Sequence, residues 1–147
     1  MSQKRLACGL AAAMVTTLGL AATAGATTGD KLAVTGPYFV APGQPYTITT
    51  SGNAVSPANE VVAWRTTKAC KTTYTQEVAA MGTKAPALKA SVKGSFKFAK
   101  TYTAKPPATT TTYYWCAYLI KGSTQDTYKY ADWKWQVPAQ GGGPGGP

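Results

Sequence analysis

From residue 27 onward, apolar and polar positions alternate with a period of two in short runs, and Gly, Pro and Asn punctuate them. Such alternation marks a β-strand with one buried face, because successive side chains leave a pleated backbone on opposite sides. Over 45–51 it sets Tyr46, Ile48 and Thr50 on one face, and over 60–66 it does the same for Val62 and Trp64. The run 95–103 carries Phe96, Phe98 and Tyr102 in phase, and 112–120 is the most continuous apolar stretch of the chain. A further strand is predicted over 127–137, with shorter ones over 31–35 and 88–92 and a short extended piece over 38–41. Gly36-Pro37, Pro42-Gly43 and the turn-rich 121–126 separate these runs, and the Pro- and Thr-rich 104–112 reads as a loop. Only 76–81 departs from the pattern. It suits a helical turn that Gly82 stops, with Thr75 as its cap. Short strands at this spacing, with no long helix, predict an antiparallel β-sandwich of about seven strands.

The first 26 residues have a different composition. Lys4 and Arg5 precede a mostly apolar run over 6–22, and Ala22-Thr23-Ala24 and Ala24-Gly25-Ala26 offer small residues for cleavage. This is the layout of a secretory signal peptide over 1–26, cut after Ala24 or Ala26. A retained membrane anchor is the rival reading, since the run is nearly long enough to span a bilayer. Past it no segment is apolar enough to cross a membrane, so one domain is expected over 27–138 and a flexible Gly/Pro tail over 139–147. Cys8 leaves with the signal, and Cys70 and Cys116 remain in an oxidising compartment, where a pair is normally bridged. The chain has no His, so these thiols lack the other ligands of a structural zinc site and the base that would activate a nucleophilic cysteine. A bridge closing about 46 residues would constrain the unfolded chain by about 4 kcal/mol on the loop-entropy account.

Several motifs carry a resemblance. Tyr114 stands two places before Cys116, the spacing of the corner tyrosine in the immunoglobulin fold. Tyr113-Tyr114-Trp115-Cys116-Ala117-Tyr118-Leu119, Ala41-Pro42-Gly43-Gln44 and Gly94-Ser95-Phe96 resemble small secreted bacterial immunoglobulin-like domains. The resemblance implies an immunoglobulin-like sandwich at the cell surface, with the Cys-Ala-Tyr-Leu strand bridged to a Cys in mid-domain. It implies no activity, because this sandwich hosts many functions. One departure matters: Trp64 precedes Cys70, whereas in antibody domains the first Cys comes before the core Trp. The bridge is therefore expected to tie the segment after the Trp64 strand to the Cys116 strand, rather than to staple sheet to sheet, with Trp64 in the core.

Charge narrows the function. Setting Lys4 and Arg5 aside leaves 13 of the 15 basic residues against 5 acidic ones. Between Glu77 and Asp126 there is no acid, yet Lys84, Lys89, Lys93, Lys97, Lys100, Lys105 and Lys121 all fall there. A one-sided positive field attracts polyanions and is screened by salt. The same lysines equally serve to keep a domain with open strand edges soluble. In the last strand Trp133 and Trp135 share a face with Ala131 and Val137, and Tyr128 and Tyr130 share the other with Asp132 and Lys134. One face is expected in the core; the other is a candidate aromatic platform. No cofactor or metal is implied, because the five acids show no Ca²⁺-loop spacing. With so few acids and no His, catalysis is not expected. The expected role is a secreted, non-catalytic binding or adhesion module of the bacterial envelope. Its expected partner is an anionic cell-wall polymer or an envelope protein, and nucleic acid is not. The alternative is a structural envelope protein or accessory subunit with no ligand of its own.

Overall fold

The computed structural model describes residues 29–141, so the signal region, its cleavage point and most of the Gly/Pro tail lie outside the described residues. Within it run β1 (Lys31–Thr35), β2 (Pro45–Ala54), β3 (Glu60–Thr66), α1 (Tyr74–Met81), β4 (Leu88–Ser91), β5 (Gly94–Thr103), β6 (Thr111–Lys121) and β7 (Asp126–Val137). They form two antiparallel sheets, β1-β2-β5 and β4-β3-β6-β7, the sandwich that the alternation predicted, of the immunoglobulin-like kind that the resemblance implied. β1 packs across β7, so β4 and β5, the opposite edges of their sheets, flank the other side.

Two apolar layers result. Between the sheets, Ile48, Val61, Ala63, Trp115, Ala117, Leu119, Trp135 and Val137 form the main core. On the outer face of the second sheet, Val62, Trp64, Cys116, Tyr118 and Ile120 pack with Tyr74 of α1. A strand covered on both faces has no polar side to show, which is why 115–120 is apolar without interruption and buried throughout. Trp64 is buried as expected, but in this outer layer under α1. The sheets are joined within the main core by Trp115, whose Nε1 donates to Thr50 Oγ1 at 2.9 Å.

The helix starts earlier than expected. Thr73, not Thr75, is its cap, accepting at Oγ1 from Gln76 N (3.4 Å), and Tyr74 N is held by Thr127 Oγ1 (2.8 Å). Gly82 ends it at φ 59°, its N–H donating to Val78 O at 3.0 Å. The Cys70–Cys116 bridge, with Cα atoms 5.4 Å apart, ties the segment before α1 to the outer face of β6. It fixes the helix layer and, as expected, does not staple the two sheets.

The segment 38–41 makes less than a strand. After Gly36-Pro37 the chain crosses from the first sheet to the second, where a single parallel bridge joins Phe39 to Gln136 of β7. Val40 N donates to Gln136 O (2.9 Å) and Gln136 N to Tyr38 O (3.0 Å). The crossing needs glycine: a Cβ on Gly36 would sit 2.5 Å from Ile48 Cδ1.

Candidate functional site

The acid-free stretch does not fold into one patch. Lys89 on β4, Lys93 between β4 and β5, and Lys97 and Lys100 on β5 share the open side of the sandwich. Of these, Lys89 meets an acid, Glu60, at 3.9 Å. Lys100 stands opposite Ile48 in register, on the row of β5 that faces the core, yet it is exposed, since an edge strand lets a long side chain reach water. Lys97 lines an open groove with Lys31 and Lys129, which the sequence kept apart from it. The other three lie elsewhere. Lys84 follows α1 and its ammonium reaches Arg65 O; Lys105 stands beyond the end of β5; Lys121 closes β6 opposite Asp126.

The aromatic residues of β7 divide differently from their sequence phase. A bulge in the β6–β7 pairing, with Leu119 opposite Lys129 and Ile120 opposite Thr127, inserts Tyr128 as an extra residue. Tyr128 consequently packs on the main core, while Tyr130 packs on the outer layer. Trp135 is 1% exposed and offers no face to a ligand. Trp133 is half-buried at the strand crossing, where its Nε1 donates to Pro37 O (2.9 Å) and Tyr38 lies over its ring at 4.6 Å. These four residues thus do not make a shared platform.

The outer layer contains a buried acid. Glu77 is 1% exposed, and its Oε2 accepts from Lys71 N (2.7 Å) and from Tyr118 Oη (2.9 Å). Burial, and next the bond to Glu77, hold the Tyr118 hydroxyl well above the ordinary phenol value. Burial also pushes Tyr130 up to about 12, with the Asp132 carboxylate adding to the shift. This network locks α1 onto the sheet, and nothing in it is open to a substrate.

A cleft that strand alternation does not reveal opens at one end of the sandwich. It is lined by Tyr46 near the start of β2, Arg65 on β3, Tyr102 near the end of β5, Lys105 and Tyr113 of β6, and encloses about 300 Å³. Burial raises the Tyr102 hydroxyl, with the Arg65 charge pulling the other way. A signal was present in the sequence. Arg65 is the only Arg after Arg5, and it falls on the face of its strand opposite Trp64. Among the described residues no group of three or more His, Cys, Asp or Glu converges to hold a metal ion.

No known protein family matches the chain, and no curated protein does. Among solved structures, the NMR structure of a CARDB domain from Pyrococcus furiosus is similar, with a TM-score of 0.51 at 10% identity, covering 76% of this chain and 95% of that one. A crystal structure of the CARDB domain in complex with di-metal ions, from the same organism, gives a TM-score of 0.48 at 11% identity over 75% of this chain and 90% of that one. At such identity the likeness is one of fold.

Proposed function

We propose that the domain is a secreted, non-catalytic binding module of the bacterial cell envelope that takes up an anionic polymer along its β4–β5 side. The observation that carries this reading is the placement of Lys89, Lys93, Lys97 and Lys100 on two neighbouring open edges, with a single ion pair, Lys89–Glu60, among them. Unpaired lysines along an edge present a line of charge that suits a chain of anions better than a compact ligand. The disulfide supports an extracytoplasmic setting, since such bridges persist where thiols are oxidised. The test is binding of the mature protein to immobilised anionic wall polymer as salt is raised. Retention is expected at low ionic strength and should be lost as the screening length falls to about 8–10 Å. Absence of binding at low salt would contradict the proposal. The structural-subunit reading would then gain, favoured by Tyr38 and Phe39, which are 74% and 60% exposed beside the β7 edge.

A further inference from the structure

We infer that the cleft around Arg65 is a binding site for a carboxylate-bearing sugar ring, a uronic-acid unit, with Arg65 taking the carboxylate and the tyrosines the ring. This is independent of the lysine side, because the cleft opens at the end of the sandwich where β2 begins and β5 ends.

Arg65 is a cation withdrawn from water without an anion among the described residues. It follows Val61 and Ala63 on the inner face of β3, both of them fully buried, and is itself half-buried. A cation withdrawn from water normally has an anion beside it. All five acids of the chain are engaged elsewhere. Asp30 accepts from Val55 N (2.7 Å), Glu60 faces Lys89, Glu77 of α1 is buried against the sheet, Asp126 accepts from Thr124 Oγ1 (2.5 Å) and Asp132 lies beside Tyr130 on the outer face of β7. Arg65 is held instead by aromatic groups. Its Nη1 donates to Tyr46 Oη at 3.1 Å, and the guanidinium lies 4.5 Å over the Tyr102 ring and 6.0 Å from the Tyr113 centroid. The fork is therefore oriented while its charge has no counter-anion among the described residues.

The site is also small and rigid. A volume of about 300 Å³ is at the lower end for small-ligand clefts. Its walls are braced from behind by Trp135, which stacks on Tyr113 (5.6 Å, 19°) and meets Tyr46 at 5.4 Å. Side chains already locked lose little freedom on binding. A planar guanidinium matches a carboxylate in two parallel hydrogen bonds, and Lys105 adds charge at the rim. Tyrosine faces accept the apolar side of a pyranose ring, and their hydroxyls bond to its edge.

The experiment titrates the intact mature protein with galacturonic acid and with galactose, following the ring and Arg65 side-chain resonances by NMR. Saturable shifts at Arg65, Tyr46, Tyr102 and Tyr113 with the acid, and none with galactose, are expected. Arg65→Lys should weaken galacturonate binding by about tenfold or more, since the two-pronged contact is lost, whereas Lys121→Glu, at the other end of β6, should leave it unchanged. If a simple aliphatic carboxylate of equal charge shifts the same resonances as strongly, the sugar assignment is overturned. If galacturonate leaves the folded wild-type protein unperturbed, Arg65 is an end plug of the sandwich and the inference fails. Because that result is read on the wild-type protein, it stands even where a variant fails to fold.

Discussion

The two long sides of this sandwich solve the same problem in opposite ways. On the β1–β7 side, the chain itself crosses between the sheets and pairs Phe39 with Gln136, so the β7 edge is partly covered by backbone. Trp133 anchors that crossing through Pro37 O, and Tyr38 lies over the indole. On the β4–β5 side the two-residue link Val92-Lys93 carries the chain from one sheet to the other, but among the described residues no backbone bridge lies along either edge, and the edges carry lysines. Covering an edge and charging it both discourage strand addition by another chain. Only the second leaves a surface that attracts an anion. The comparison therefore separates a side whose residues act through packing from one whose residues act through charge. Stability and binding should accordingly be lost at different places.

The largest effect should come from outside both sides and sets the scale. Replacing Cys70 and Cys116 by Ala should lower unfolding free energy by about 4 kcal/mol, measured by urea denaturation against the bridged protein. On the covered side, Trp133→Ala should cost about 3 kcal/mol, the low end for an aromatic truncation because the ring is half-buried. Gly36→Ala should cost about 1–3 kcal/mol, since Ile48 must move to admit the new Cβ. A loss below about 0.5 kcal/mol at both positions would remove packing as the basis of that side.

Stability should also fall in alkali, for a reason confined to the outer layer. Tyr130 titrates at about 12 in the folded domain against 10.0 for an ordinary phenol, so between those values the folded state holds a proton that the unfolded chain has released. Its contribution is complete below about pH 10 and lost as pH rises towards about 12. Tyr130→Phe should flatten that part of the unfolding profile, and an unchanged slope would reject the assignment. Tyr118 is shifted in the same direction and leaves residual dependence in the variant.

What the sequence revealed follows the reach of its signals. Alternation locates strands because it is local, and the predicted runs over 31–35 and 60–66 coincide with β1 and β3. It placed Val62 and Trp64 on one face but not the helix that buries that face, because covering both sides of β3 is a tertiary event. The bulge that turns Tyr128 away from Tyr130 depends on the pairing with β6, and strand phase alone does not contain it. The lysines are contiguous in sequence and dispersed in space, since Lys105 and Lys121 lie towards opposite ends of β6. The Arg65 cleft draws on five strands and a loop, so no window of the chain shows it. Gly36-Pro37 was visible as a break, but its destination was not.

The smallest effect on stability should accompany the largest effect on binding. The measurement compares two charge-matched variants, Lys97→Glu with Lys100→Glu on the open side and Lys68→Glu with Lys134→Glu away from it, in low-salt binding to anionic wall polymer. Each substitution should change stability by no more than about 0.5 kcal/mol. The open-side variant should lose more than tenfold in affinity, as each lysine near an anionic surface contributes about 1 kcal/mol and reversal removes more than that. The other variant should lose a few-fold at most. Equal losses in the two would contradict the account, because net charge alone would then govern binding and the open side would have no special role.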